Sequence, residues 1–517
     1  MKLERVHDHR LSERELLSRW GPLGLGLLIA IVFGYWIGAG QQPLLILSGA
    51  VCVAAFVMIA MQKRAWVLIM FGWLFTGNLL VLRLPFAVRD LMVMLALGAY
   101  IGYRVISQRT VRAGGNLIDM LLAVHLVYLV FGWALHPVGF RVMGAETIGA
   151  RAYVNIALAV MGYWVLVHLP DSVRAVSRIP YYWFAAAAVL GIMALLARVF
   201  PSLVPYIYAW YSEVELSGFI ESIRGAPEVS RIGGLANTGM YVILVLCSYY
   251  SPATLIDPRR GRFYGMVIGG ACILASGFRS SLLQALAAIG IGGWLHRCWR
   301  DLVVGVVVGG MLLAALVIGQ GRLYDLPRPA QRALSFLPGQ WAPEVVADVT
   351  SSSQGRFEMW RRIIDENLIR DWWFGEGFAI SAAELALAAR HGFVEATYVT
   401  GVYHNGPLST IRYVGIIGLI LLYFLTITAA IYSYKTVQRC RGTPLFPAAV
   451  FVAIHLIWGP IHYVFVFGSY FNYLPDLIIQ LGILRLLMRL CDQGLVAPAP
   501  APGTAPVAAR ATEAASA

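Results

Sequence analysis

Apolar runs of about 17–25 residues recur along almost the whole chain, and short polar stretches separate them. Such runs are typical of transmembrane helices, because a helix needs about 20 residues to cross the hydrocarbon core of a bilayer. We therefore expect an all-α fold, a polytopic transmembrane helical bundle of about fourteen spans. The predicted spans lie near residues 21–39, 43–62, 65–82, 86–103, 117–135, 152–169, 180–199, 237–251, 263–278, 281–296, 302–319, 408–431, 447–467 and 470–488.

Basic residues orient this predicted bundle. Lysines and arginines come in twos and threes between the apolar runs, and these groups fall on one side of the membrane. They are Lys63, Arg64, Arg104, Arg109, Arg112, Arg174, Arg178, Arg259, Arg260, Arg262, Arg297, Arg300, Lys435, Arg439 and Arg441. By the positive-inside rule this side is cytoplasmic. We predict a cytoplasmic N-terminal segment at 1–20, a bundle within 21–319 and 408–490, and a disordered cytoplasmic tail at 491–517.

Three polar segments remain on the opposite side, and they are 136–151, 201–237 and 320–407. The last of these, called the external loop from here on, is the longest and contains four tryptophans. Apolar residues at three- and four-residue steps predict a helix over 355–369. Ser381 and Glu384 have the spacing of a capping box, which predicts a second helix. Because long loops in compact bundles are typically functional, we expect the function to lie in the external loop.

Composition changes this picture little but excludes several classes of protein. With 59% hydrophobic and 13% charged residues, the chain is too apolar for a soluble globular protein. The net charge of +13 is spread over many loops rather than forming one patch, so nucleic acid is not an expected partner. The six cysteines avoid the external loop, which argues against a disulfide framework. Motifs for a P-loop, a Rossmann fold, a nucleotide-sugar metal site, a zinc site and a serine hydrolase are missing from the sequence.

Four arginines run against the charge distribution, because they lie at or beyond the outer membrane surface: Arg151, Arg231, Arg279 and Arg356. One such residue is equally well explained as an interfacial anchor. However, Arg231 and Arg356 stand beside glycines, and Arg279 stands between two spans that barely leave the bilayer. A charge at that place needs a partner or a functional reason. Since a guanidinium holds phosphate oxygens in a bidentate manner, the set indicates a phosphate-binding site.

A histidine–asparagine pair, His404 and Asn405, ends the external loop at the start of the next span. A lone histidine in a loop is more often solvated or capping than catalytic. An imidazole can nevertheless take a proton near neutral pH, so His404 is a candidate base. Asp371 and Glu376 flank a Trp-Phe-Gly-Glu-Gly turn and are alternative acidic candidates. The ionisable residues within spans are expected to serve packing and helix–helix hydrogen bonds, and they are His125, His455, His462 and Asp476.

These motifs follow one another in order. Arg-x-Gly-Gly precedes a span, an arginine stands at a tight turn between spans, and Gly-Arg-x-x-x-Trp lies in the external loop. A Gly-x-Gly turn, His-Asn and a Gly-x-x-Gly span follow. Over roughly residues 231–420 the chain therefore resembles the O-antigen ligase/O-antigen polymerase superfamily of bacterial membrane glycosyltransferases. One departure is Phe278 before Arg279, where the family often has serine.

The resemblance implies an enzyme of the bacterial inner (cytoplasmic) membrane with its active site facing the periplasm. It would transfer a glycan from an undecaprenyl diphosphate carrier to an acceptor hydroxyl, without a nucleotide, a metal or another cofactor. Its predicted site residues are the catalytic base His404 and the substrate-binding residues Arg151, Arg231, Arg279, Arg356 and Asn405. The implied partners are the lipid-linked donor, a glycan or lipid A-core acceptor, the bilayer and, for a polymerase, a flippase and a chain-length regulator.

Two other classes of function remain open at this stage. A polytopic transporter or flippase of lipid-linked oligosaccharides would share the composition, but it would concentrate ionisable residues near the middle of the membrane. This chain carries its unusual residues outside instead. A non-catalytic subunit of a polysaccharide assembly complex would not need the His-Asn pair. Between ligase and polymerase the motifs do not decide.

The orientation is testable with reporter fusions. Fusions after residues 350 or 390 are expected to report a periplasmic location, and fusions after 260, 298 or 440 a cytoplasmic one, because the lysines and arginines lie on one side. Cytoplasmic behaviour of the fusions at 350 and 390 would remove the basis for a site in the external loop.

Overall fold

The computed structural model describes residues 49, 53, 55–80, 86–107, 114–169, 172–212, 231–391 and 393–493. The predicted N-terminal segment, the first span and the tail beyond 493 lie outside the described residues, as does most of the second span.

The described chain is mostly helical, which confirms the all-α fold class. Its helices are α1 (Ala65–Gly72), α2 (Val88–Ser107), α3 (Leu117–Leu135), α4 (Ala150–His168), α5 (Val173–Val176), α6 (Ile179–Val199), α7 (Val204–Trp210), α8 (Gly233–Tyr249), α9 (Pro252–Leu255), α10 (Gly261–Ser276), α11 (Arg279–Leu295), α12 (Trp299–Gly319), α13 (Arg328–Leu334), α14 (Pro343–Asp365), α15 (Ala382–His391), α16 (Phe393–Thr400), α17 (Gly406–Cys440), α18 (Phe446–Phe465) and α19 (Tyr470–Asp492). There are also 3₁₀ helices at Gln62–Arg64, Arg141–Met143 and Pro201–Leu203, and two strands, β1 (Thr147–Ile148) and β2 (Ile380–Ser381).

Seven helical runs among the described residues are long and apolar enough to cross a membrane. They are Ala55–Gly72, Leu117–Leu135, Ala150–His168, Val173–Val199, Trp299–Gly319, Gly406–Cys440 and Phe446–Phe465. Helices α8 and α10 are also apolar but shorter. The chain is therefore a multi-pass membrane protein. The total of about fourteen spans stays a prediction.

From residue 88 onward, each predicted span coincides with a helix whose ends lie within several residues of the prediction. Helix α3 is bounded as predicted, because Asn116 and Asp119 form a capping box at its start. The predicted span at 65–82 differs, since it is helical only to Gly72. The polar residues that follow interrupt the apolar run, and the chain turns back there to form a bridge between Asn78 and Ala87.

Helix α19 lies at the centre of the bundle and is buried over nearly its whole length. Its two arginines are buried among apolar residues and therefore need partners. Arg485 donates to Asp119 at 2.7 Å and to the carbonyl oxygen of Gly114 at 2.6 Å. Arg489 donates to the carbonyl oxygens of Val167 and Leu169. These bonds attach α19 to the start of α3 and to the end of α4.

The external loop is folded. It contains α13 to α16, and the helix predicted over 355–369 is the second half of α14. The predicted cap of α15 is confirmed, because Ser381 Oγ accepts from the backbone N–H of Glu384 at 3.3 Å. Strand β2 pairs antiparallel with β1, which fastens the external loop to the segment 136–151.

A kink in α17 contacts the Trp-Trp-Phe-Gly-Glu-Gly turn, residues 372–377. At Gly415 the backbone leaves the helical conformation, with φ 66° and ψ −177°. The N–H groups of Ile416 and Ile417 would normally bond to the carbonyls four residues earlier. They donate instead to the carbonyl oxygens of Trp372 and Trp373, at 2.8 and 3.3 Å.

The turn also satisfies the two carbonyls that the kink leaves free. Glu376 N–H donates to Arg412 O at 2.9 Å, and Gly377 N–H donates to Tyr413 O at 3.0 Å. The approach is so close that a Cβ at Gly415 would lie 2.0 Å from the carbonyl oxygen of Trp373. A glycine is therefore required at this position by both its dihedral angles and its contacts.

Replacing Gly415 by alanine is expected to detach the turn and to destabilise the protein. The dihedral angles alone cost about 1–3 kcal/mol for a residue with a side chain, and the clash adds to this. Thermal unfolding in detergent should show a lower melting temperature and faster proteolysis within the external loop. Gly290→Ala is the matched control, because a Cβ there meets no atom within 4 Å. Equal melting temperatures for the two variants would contradict this account of the kink.

Candidate active site

Four arginines from four segments of the chain meet beside the start of α11. Burial, followed by repulsion from Arg332 and Arg356, lowers the pKa of Arg279, while Asp348 opposes this. The pKa of Arg231 is lowered by burial and then by the charges of Arg332, Arg356 and Arg279, whereas the carboxylate of Asp348 raises it. Burial and then Arg332 lower the pKa of Arg356. These five side chains act on one another electrostatically, and we call them the arginine cluster: Arg231, Arg279, Arg332, Arg356 and Asp348.

Arg332 is the residue that organises the cluster. Its side chain is almost fully buried; Nε donates to Asp348 Oδ2 at 2.6 Å, and an amino group donates to the carbonyl oxygen of Gly277 at 2.9 Å. Gly277 is in the left-handed conformation that ends α10. Arg332 therefore joins α13, α14 and the turn between α10 and α11.

The turn between α10 and α11 also positions Arg231 and Arg279. Arg279 is the first residue of α11. The backbone N–H of Ile232 donates to Ser276 O at 3.1 Å, which fixes the segment that carries Arg231. The guanidinium of Arg231 lies 6.0 Å from the ring centre of Phe278. The phenylalanine that departs from the family pattern thus gives Arg231 an aromatic face, a favourable contact for a cation.

The cluster has an excess of positive charge. Among the described residues, Asp348 is the one acidic group that affects the pKa values of these arginines, and it is already paired with Arg332. Arg231, Arg279 and Arg356 are half-buried and repel one another. Fixed guanidinium groups in such an arrangement can bind an anion with several oxygens.

His404 lies next to this cluster in an unusual backbone conformation, with φ 53°. Trp360 Nε1 donates to the carbonyl oxygen of Tyr403 at 2.8 Å, and Tyr403 itself is fully buried. On the other side, Asn405 Oδ1 accepts from the N–H of Leu408 at 3.0 Å and caps α17. These two bonds hold His404 in the left-handed region, which histidine adopts more readily than most residues.

The imidazole of His404 is half-buried, and its centre lies 5.0 Å from the ring centre of Phe467. Its Nδ1 is enclosed and has no hydrogen-bond partner within the described residues. Burial, and then the charge of Arg356, lowers the pKa of His404 below its ordinary value of 6.5. The imidazole is therefore neutral at physiological pH and can accept a proton.

The remaining predicted residues have other surroundings. Asn405 uses its side-chain oxygen as the cap of α17, so its predicted contact with substrate stays a prediction. Arg151 is not part of the arginine cluster. It is exposed, donates to Asn78 Oδ1 at 3.2 Å and lines a separate cavity.

The two acidic candidates are engaged in the turn that fits the kink of α17. Asp371 Oδ1 accepts from the N–H groups of Trp373 and Phe374, both at 3.0 Å. Glu376 accepts from the N–H of Arg370 at 2.7 Å and lies 3.0 Å from the guanidinium of Arg412, an ion pair without hydrogen-bond geometry. Both carboxylates therefore shape the turn.

Sequence reasoning missed Arg332 and Asp348. The search for arginines considered those beside glycines and at span ends, whereas Arg332 stands in Ala-Gln-Arg-Ala-Leu within a short helix. An arginine between small apolar residues in a helix is a signal of burial, and a buried arginine needs an acidic partner. That signal would have found Arg332 but not which acid pairs with it.

The site lies in a helical, multi-pass membrane protein and combines the arginine cluster with a half-buried histidine. Residues 264–423 match a family model described as O-antigen ligase, and this segment includes every residue of the site except Arg231. The match supports the resemblance to the O-antigen ligase/polymerase superfamily that the sequence motifs indicate. No curated protein and no solved structure matches the chain.

The effect of Arg356 on His404 can be measured directly. In the wild type, His404 should become half-protonated below pH 6.5, and Arg356→Gln should move this midpoint upward, because one nearby positive charge is lost. Burial is the larger cause, so only part of the shift should be recovered. The measurement is the pH dependence of diethyl pyrocarbonate modification, read for the peptide of His404, with the exposed His391 as internal control. An unchanged midpoint would contradict the proximity of Arg356.

Proposed function

We propose that the protein is a membrane glycosyltransferase that moves a glycan from an undecaprenyl diphosphate carrier to an acceptor hydroxyl on the periplasmic side. It would act as an O-antigen ligase or as a polymerase of O-antigen or exopolysaccharide. The observation that carries the proposal is the arginine cluster beside a histidine kept neutral, both largely within one O-antigen ligase domain.

The arginine cluster suits the diphosphate of the donor. Negative charge grows on this leaving group as the bond to the anomeric carbon breaks, so fixed cations stabilise the transition state more than the ground state. Arg231 lies against the ring of Phe278, and Arg332 bonds to the turn that precedes Arg279, so this part of the cluster is positioned before the substrate arrives and costs less reorganisation during the reaction. This cationic site supplies what a metal ion supplies in many other transferases. The metal-independent mechanism implied by the family fits this chemistry.

His404 suits the role of the base. Its neutral imidazole takes the proton of the acceptor hydroxyl while the hydroxyl oxygen attacks the anomeric carbon. The bond between that carbon and the phosphate oxygen breaks, and its electron pair leaves with the lipid diphosphate. The proton passes from His404 to solvent afterwards. Attack from the face opposite the leaving group inverts the configuration of the anomeric carbon.

Arg356 couples the two parts of the site. Its charge helps to keep His404 unprotonated, and it belongs to the cluster that would hold the diphosphate. Helix α14 carries both Arg356 and, one turn later, Trp360, which bonds to the residue before His404. One helix therefore sets the relative position of base and anion site.

The proposal is tested by separating transfer from donor binding. His404→Asn keeps a residue that tolerates the left-handed backbone but removes the base, and should reduce transfer by about 10²–10⁴-fold while donor binding changes little. Arg279→Lys keeps the charge but loses the bidentate geometry, and should weaken donor binding by about 10–100-fold. Both are measured on purified protein with a lipid-diphosphate-linked glycan.

Arg361→Lys is the matched control, because Arg361 lies on the same helix as Arg356 but is exposed and pairs with Asp365 at 3.2 Å. It should leave transfer and binding unchanged. Normal turnover by His404→Asn would remove His404 from the mechanism. Normal donor binding and transfer by Arg279→Lys, in folded protein, would remove the arginine cluster from it.

A further inference from the structure

A cavity of about 870 Å³ opens within the bundle, and the function described so far does not use it. Its wall contains residues of the transmembrane helices and of the external loop, but none of the arginines of the cluster. Two wall residues, Thr400 and Val402, stand just before His404 in the chain. The cavity and the arginine cluster are thus separate sites that both reach the neighbourhood of His404.

The lining of the cavity is polar for a place inside a membrane bundle. Five residues of the wall have amide side chains, and they are Asn155, Asn237, Gln284, Asn472 and Gln480. Each amide offers both donors and acceptors of hydrogen bonds. Asn237 lies on the helix that follows Arg231, and Gln284 lies on the helix that begins with Arg279. This end of the cavity is therefore nearest to the anion site.

Several polar atoms in the wall lack hydrogen-bond partners within the part of the chain that the structure describes. They are Gln480 Oε1, His455 Nε2 and Trp458 Nε1. Gln480 is only 6% exposed, and His455 uses its other ring nitrogen on the carbonyl oxygen of Phe451 at 2.9 Å. Unpaired polar groups in a buried, low-dielectric place are costly, so a ligand that pairs with these side chains gains free energy by doing so.

Aromatic rings complete the lining. Trp73, Trp183 and Trp458 are among the wall residues, and Trp73 Nε1 donates to Asp476 Oδ1 at 2.7 Å. The carboxylate of Asp476 is open to the cavity. Flat apolar faces beside amides and a carboxylate match a molecule with C–H faces and many hydroxyls. They do not match a polyprenyl chain, which has no polar groups, and two arginines of the wall, Arg89 and Arg151, add further donors for sugar hydroxyls.

We infer that this cavity binds the end of a saccharide, the glycan end that carries the attacking hydroxyl of the acceptor. The inference rests on the proposed function, which needs such a hydroxyl at His404. The volume lies within the range of roughly 300–1,000 Å³ that is usual for small-molecule sites, so the cavity holds a few sugar units. A cavity of this size cannot hold a transferred glycan of arbitrary length. It can hold the terminal sugars of an acceptor, since only this end of the acceptor must reach the site. Arg151, at the rim formed with Gly149 and Phe378, then belongs to the acceptor site.

The test compares two buried glutamines. Gln480→Leu removes an amide whose oxygen is unpaired, so it should weaken saccharide binding by about tenfold or more and leave the melting temperature unchanged or raised. Gln331→Leu removes an equally buried amide that bonds Leu326 O and Ala342 N–H, so it should lower the melting temperature and leave saccharide binding unchanged. Trp458→Phe, which keeps the ring and removes the unpaired N–H, should behave like Gln480→Leu.

The probes are two oligosaccharides released by mild acid from the native cell, one from the lipid-linked glycan and one from the lipid A-core, titrated separately into purified full-length protein by calorimetry. In transfer assays, Gln480→Leu should raise the KM for the acceptor and leave donor binding as it is. Absence of saccharide binding by the wild type, or equal binding by Gln480→Leu, would overturn the inference and indicate a cavity filled with water. A change in donor binding alone would overturn its assignment to the acceptor.

The two proposals fail in different ways. Saccharide binding that depends on Gln480, in a protein that transfers no glycan, would contradict the proposed function and leave the saccharide site standing. Transfer that depends on His404 but not on Gln480 or Trp458 would contradict the saccharide site and leave the function standing. His404→Asn should bind the saccharide normally.

Discussion

The external loop depends on the kink of α17 at Gly415. A helix that breaks its hydrogen bonds within a membrane protein leaves polar groups that water does not satisfy. Here the N–H groups of Ile416 and Ile417 and the carbonyls of Arg412 and Tyr413 all bond to the turn at 372–377. Two helical bonds are exchanged for four bonds between segments, so the kink and the docked loop stabilise each other.

The geometry of the site follows from this docking. The turn fixes the external loop against α17, and α17 begins directly after His404 and Asn405. Helix α14 then reaches Tyr403 through Trp360, and its other end carries Asp348 to Arg332. The arginines come from elements far apart in the chain, and they repel one another. Packing must therefore hold the cluster together when no anion is present, and the bonds of Arg332 to Asp348 and Gly277 provide this.

The hydrophobic pattern was sufficient to predict the helices, but it did not predict the kinks and turns that interrupt them. The bounds of α3 could be predicted because its apolar run and its capping box agree. The kink at Gly415 could not, since the run Gly-Ile-Ile-Gly-Leu is apolar throughout and reads as uninterrupted helix. The end of α1 at Gly72 was missed for a related reason, because Thr76 and Asn78 are only two polar residues within an apolar run and do not by themselves predict a turn.

At the site, the motifs predicted His404, Arg231, Arg279 and Arg356, and the structure brings these four together. Arg332 and Asp348 were missed because the importance of a buried ion pair depends on which elements pack together, and residue spacing does not contain that information. Asn405 illustrates the opposite case, since a residue chosen for its chemistry caps a helix. The pKa of His404 also differs from that of a solvated histidine because of burial and Arg356, neither of which a single sequence reveals.

We propose that this chain breaks the bond between a glycan and its lipid diphosphate carrier, rather than moving the intact lipid across the membrane. The direct measurement uses proteoliposomes that contain only the purified protein, a lipid-diphosphate-linked glycan and an acceptor glycan, without added nucleotide. The account predicts that free lipid diphosphate appears in step with a new glycosidic bond of inverted configuration, and that His404→Asn abolishes both. Movement of the intact donor between leaflets with no lipid diphosphate formed would contradict it.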